Sequence, residues 1–102
     1  MIENHRNVAK LDVSSTAISL GTLREISNMT SLESLNVKRC EIDDEGMSVI
    51  SQLKNLTFLN VSFCISVTDQ GVASLSHLKE LKNLLLTGSL KNLADILKAV
   101  GK

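Results

Sequence analysis

Two cysteines, Cys40 and Cys64, stand 24 residues apart and are the chain's whole thiol content. Each follows the same strand-like run and precedes an Asp and a Gly at nearly the same offset. Thiols at equivalent positions of adjacent units could be bridged as a disulfide, or could hold a metal ion as a pair. A structural metal site wants further ligands, and none lies nearby in sequence. The expected role is therefore a buried thiol ladder that closes a bend. His5 and His77 join no cysteine or carboxylate cluster, so neither catalysis nor metal binding is expected of them. Asp43, Asp44, Glu45 and Asp69 form a small acidic group. Their spacing is not that of a calcium loop, and helix capping accounts for them better. Gly21, Gly46, Gly71 and Gly88 make no phosphate cradle; Gly46 and Gly71 recur once per unit, as turn or helix-start residues would. With no nucleophile–base pair and no phosphate loop, the expectation is a protein that is not an enzyme and needs no cofactor or metal.

Composition narrows the partners. The chain has 102 residues, with Lys+Arg and Asp+Glu both at 11. Nucleic acid is not expected as a partner, because phosphate binding needs clustered positive charge. Phe58 and Phe63 are the only aromatics, too few for a base-stacking platform. No apolar run approaches the roughly 20 residues of a membrane span. Residues 1–10 lack the apolar core of a signal peptide, so an intracellular, cytoplasmic location is expected. On that footing the sequons at Asn28, Asn55 and Asn60 are expected to be chance occurrences.

Positioning these residues is the work of a repeat. The leading apolar residues Val8, Leu32, Leu56 and Leu81 are separated by steps of 24, 24 and 25. Each opens a strand pattern: Val8-x-x-Leu11-x-Val13, Leu32-x-x-Leu35-x-Val37, Leu56-x-x-Leu59-x-Val61 and Leu81-x-x-Leu84-x-Leu86. Side chains alternate across a strand, so Leu11 and Val13 point one way and Asp12 the other. Three residues on stand Thr16, Cys40, Cys64 and Ser89, all small groups able to bond backbone in a tight bend. Ile18, Ile42 and Val67 then return to the core. Asp44 and Asp69 are placed to cap helices, and the first unit offers Thr22-x-x-Glu25 as a capping box. The helices are marked by Leu23/Ile26/Met29, Met47/Ile50/Leu53 and Val72/Leu75/Leu78 at spacings of i, i+3 and i+6. Units of this length are stable only against their neighbours, which is the signature of a solenoid.

One domain over residues 1–102 is expected, with repeats at 8–31, 32–55 and 56–80 and a last repeat at 81–102. That last repeat ends in an amphipathic capping helix whose apolar face is Leu93, Ile96, Leu97 and Val100. Residues 1–7 read as a partial repeat or N-terminal cap. Carried back 24 residues, the frame sets Ile2 against Ile26, as if a longer array had been cut. The first strand is then an open edge, and self-association through it is expected.

At L-x-x-L-N-V-x-x-C-x-I-x-D-x-G the sequence resembles the leucine-rich repeat family, in its cysteine-containing subclass, over residues 8–89. The resemblance implies an α/β solenoid of about four repeats, with parallel strands on the concave face and short helices on the convex face. It also implies a protein–protein interaction role. The subclass is common as the substrate-recognising part of F-box ubiquitin-ligase receptors. The other reading is a structural subunit docked in a larger assembly through its open N-terminal edge. The family's motif residues are structural, and no catalytic residue carries over.

Binding is expected on the concave face, where outward strand residues fall in columns. Lys10, Ser34, Phe58 and Asn83 form the first; Asp12, Asn36, Asn60 and Leu85 the second; Ser14, Lys38, Ser62 and Thr87 the third. Phe58 and Leu85 are apolar groups on a face that meets water, and Phe63, flanked by Arg39, joins them as an anchor. The expected contact set is Lys10, Asp12, Asn36, Lys38, Phe58, Asn60, Phe63 and Leu85. Strands about 4.8 Å apart make this footprint a few hundred Å², against about 800 Å² per partner for a stable interface. Loops or the open edge must add to it.

Overall fold

The computed structural model describes residues 8–89. The partial repeat or cap at 1–7, with His5, and the capping helix after Ser89 lie outside the described residues. Four three-residue strands alternate with three short helices: β1 Lys10–Asp12, α1 Leu20–Ile26, β2 Ser34–Asn36, α2 Asp44–Ile50, β3 Phe58–Asn60, α3 Asp69–Ala73 and β4 Asn83–Leu85. The sheet runs β1-β2-β3-β4 and every pairing is parallel. Lys10, Ser34, Phe58 and Asn83 share one register line, and Asp12, Asn36, Asn60 and Leu85 another. The first two expected columns are therefore those of the sheet, while the third, Ser14, Lys38, Ser62 and Thr87, lies beyond the strand ends.

Burial explains the register. Leu35, Val37, Leu59 and Val61 are fully buried, as are Leu32 and Leu56. A slip of one residue would turn the whole set to water. On the helix side Leu23, Ile26, Met29, Met47, Ile50, Leu53, Leu75 and Leu78 join the same core, while Val72 is half-buried. The backbone ladder outruns the strands. Ser15, Arg39 and Phe63 donate their N–H groups to Lys38, Ser62 and Thr87 carbonyls at 2.7, 2.9 and 2.8 Å. Each loop that leaves the sheet is thereby locked to the next unit. No helix among the described residues is long and apolar enough to cross a membrane.

The helix caps lie ahead of the expected residues, by one in α2 and α3 and by three in α1. Asp43, not Asp44, caps α2 by accepting from Gly46 N–H at 2.9 Å. Thr68, not Asp69, caps α3. In the first unit Ser19 caps α1 and accepts from Thr22 N–H, so Thr22 is not the cap. A cap must hold extended φ/ψ, and Ser19, Asp43 and Thr68 do (φ −90, −116 and −116). Asp44 is used differently: its carboxylate accepts from Thr68 N–H at 2.8 Å and from the Thr68 hydroxyl at 2.5 Å. It thus braces the cap of the following helix. Gly71 makes room for this brace, because a Cβ there would overlap Asp44 Oδ1 and lie 3.1 Å from Met47 Cγ. Gly46 is likewise tight against Leu23 and Ile42. Both glycines sit in the first helical turn and serve helix-to-helix approach.

Candidate functional site

The thiols do no surface chemistry. Cys40 and Cys64 are free and buried. Cys40 donates its S–H to Val13 O at 3.1 Å, and Cys64 to Val37 O at 3.2 Å. The Ser89 hydroxyl reaches Val61 O in the same way and also accepts from Cys64 N–H at 3.0 Å. Each small donor thus adds a bond from the next unit to a strand-end carbonyl that already accepts within its own bend, Val13 O from the Thr16 hydroxyl, Val37 O from Cys40 N–H and Val61 O from Cys64 N–H. Burial pushes the Cys64 thiol up, the reverse of what a reactive thiolate requires. Among the described residues no three His, Cys, Asp or Glu side chains lie close enough to hold a metal ion. His77 Nε2 bonds Ser51 O at 2.9 Å and ties one unit to the next.

The second concave column is partly consumed by the fold. Asp12, Asn36 and Asn60 each accept, through Oδ1, the N–H two residues on: Ser14 at 2.9 Å, Lys38 at 3.0 Å and Ser62 at 2.9 Å. Asn36 Nδ2 also donates to Asp12 Oδ2 at 3.4 Å. The hydrogen bonds from Ser14 hold the Asp12 carboxyl below its usual range. Asn60, expected to face a partner, is only 9% exposed. That expectation is corrected: Asn60 is a turn-closing residue with little surface left to offer. Leu85 ends this ladder with a side chain that accepts nothing, and stands exposed.

What remains open on the sheet is a shallow groove of about 310 Å³ lined by Lys10, Leu11, Asp12, Ser34, Asn36 and Phe58. Four of the expected contact residues, Lys10, Asp12, Asn36 and Phe58, meet here. Phe58 is half-buried beside its strand neighbours.

Lys38 and Phe63 belong to a second place, at the loops that leave the sheet. Ser15, Arg39, Phe63 and Gly88 occupy equivalent positions, all with positive φ (59, 62, 60 and 74). For a residue with a Cβ this conformation costs about 1–2 kcal/mol. Phe63 bears that cost with its ring under the Arg39 guanidinium at 4.7 Å and against Gly88, while Lys38 Nζ stands 5.8 Å from the ring. Beside it opens a groove of about 510 Å³ lined by Arg39, Cys40, Glu41, Ile42, Asp43, Phe63, Ile65 and Ser66. Ile65 is 70% exposed, the most exposed of the large apolar side chains among the described residues. Residue-by-residue reading missed it. The available signal was the 25-residue step of the third unit, whose surplus residue falls between Cys64 and Val67.

Residues 28–51 and 52–76 match the sequence model of the family described as Leucine Rich repeat. The two matches follow one another and span the second and third strands and the helices after them. With the four parallel strands alternating with short helices, they make the fold a small leucine-rich repeat solenoid. Such domains generally mediate protein–protein interaction, and the family is typically non-enzymatic.

Proposed function

We propose that this leucine-rich repeat solenoid is a non-enzymatic interaction module that binds a partner protein through its concave face and the adjoining loops. The observation that carries this reading is the set of apolar groups left open around β3 and β4, half-buried Phe58 in the sheet groove and exposed Phe63, Ile65 and Leu85. Isolated exposed apolar residues are ordinary, but Phe58, Phe63 and Ile65 line two grooves that also carry cations, Lys10 beside Phe58 and Arg39 beside Phe63 and Ile65, and such mixed grooves are what protein-binding surfaces offer. The concave groove alone is small, and the loop groove supplies the missing area. We read residues 1–102 as one domain of about four units. The cysteine-containing subclass is supported by the equivalent hydrogen bonds of Cys40 and Cys64.

The test is affinity capture from source-cell lysate with the wild type and Phe58→Glu in parallel, both verified as folded by circular dichroism. A partner retained by the wild type alone supports the concave-face reading. The same partners on both proteins would overturn it and point instead to the outer edge of β1.

A further inference from the structure

The groove between the loops after β2 and β3 is built by an irregularity. In the first two units the core residue after the bend comes two positions after Thr16 or Cys40, at Ile18 and Ile42. In the third it comes three positions after Cys64, at Val67. Val67 keeps its buried place, so the surplus residue is extruded and Ile65 is left in solvent. No fold requirement calls for isoleucine there. Next to it Phe63 holds a left-handed backbone that glycine would adopt freely, and the ring it displays is 40% exposed. The floor between them is Cys40 and Ile42, both buried, and the volume of about 510 Å³ lies in the range of ligand-binding clefts.

Charge is ordered along this groove. Arg39 and Lys38 flank Phe63 at the sheet end, and neither has a carboxylate within salt-bridge distance among the described residues. Glu41 and Asp43 line the other end, where the Asp43–Ser66 bridge closes the two loops together. We propose that this groove binds a segment of a partner protein that presents one apolar side chain between Phe63 and Ile65, with a carboxylate on its Arg39 side and a cation on its Glu41 side. The proposal rests on the interaction-module reading and specifies the partner chemistry for one part of that surface. The apolar anchor supplies affinity, and the opposed charges fix its direction in the groove.

The experiment pans a displayed library of random peptides, about 12 residues long, on the whole chain. Enriched peptides are then titrated by fluorescence anisotropy against the wild type, Ile65→Asp, Arg39→Glu and Phe58→Glu. Ile65 is exposed, so Ile65→Asp should melt as the wild type does. Expected are peptides with an apolar residue between opposite charges, whose affinity drops at least about tenfold on Ile65→Asp. Affinity should also drop on Arg39→Glu, return when the peptide's acid is changed to lysine, and hold on Phe58→Glu. Failure to enrich any peptide, peptides without the charge pattern, or undiminished binding to Ile65→Asp would each overturn the proposal. Peptides lost on Phe58→Glu and kept on Ile65→Asp would overturn the loop groove alone and leave the concave face standing.

Discussion

Gly88→Ala tests whether the fourth unit exists partly to hold Phe63 in place. Gly88 has φ +74, and a Cβ there would come within 2.5 Å of Phe63 Cε1 and closer still to Cδ1. Two costs separate. The backbone cost of a Cβ in the left-handed region is about 1–2 kcal/mol. The steric cost is that of turning the ring out. Leaving Arg39 forfeits about 0.5–1 kcal/mol of cation–π attraction at an exposed site. Withdrawing roughly 100 Å² of ring surface from its neighbours forfeits up to about 2.5 kcal/mol. Gly88→Ala should therefore cost about 2–5 kcal/mol in the wild type, but only about 1–2 in a Phe63→Ala background, where no ring is in the way. Urea unfolding of the four proteins of this cycle, followed by circular dichroism, measures a coupling of about 1–3 kcal/mol. Each kcal/mol is also worth about 4–8 °C in Tm for a domain of this size. Equal costs of Gly88→Ala in both backgrounds would refute the packing of Phe63 on Gly88.

Asp44→Ala removes both acceptors of Thr68 and strands its N–H beside the α3 cap. It should lower stability by about 1–3 kcal/mol in urea titrations, at least matching the loss of about 1 kcal/mol from the conventional cap at Asp43→Ala. A loss too small to measure would show that Thr68 needs no brace. The raised Cys64 pKa also has a definite sign. Its contribution is fully present below the ordinary thiol value of 9.0 and is lost as pH rises above it. Urea midpoints followed from about pH 8 to pH 11 should fall more steeply for the wild type than for Cys64→Ser, with parallel curves contradicting the buried-thiol assignment.

Most of the scaffold was legible because its forces are local or strictly periodic. Alternation in Leu35-x-Val37 and Leu59-x-Val61 specifies strands with one buried face, and the recurrence of those runs specifies how the strands stack. The i, i+3, i+6 pattern from Leu23 to Leu78 specifies the helices and the face each buries. The thiol ladder was legible for the same reason: Cys40 and Cys64 hold one phase of one period. Residues such as Phe58 and Leu85 could be placed on the open face, because register follows from burial of the other.

The remainder was decided in three dimensions. Whether Asp43 or Asp44 caps α2 depends on which residue holds extended φ/ψ as the helix begins, and both types suit the role. Asn60 was expected on the surface because its type and parity put it there. Asp12 and Asn36 fold back in the same way yet stay exposed and half-buried, so the cover on Asn60 comes from its register neighbours Asn36 and Leu85 in the adjacent strands. Arg39 and Phe63 take left-handed backbones that glycine alone would advertise. Ile65 is extruded because Val67 must stay in register with Ile42, a constraint acting between units. The sequence by itself determined the period, the buried face and the stacking order, since each follows from hydrophobic burial along one chain. Only the tertiary structure decided what the surface between units presents, since residues 24 positions apart become neighbours there and settle hydrogen bonds, backbone strain and exposure jointly.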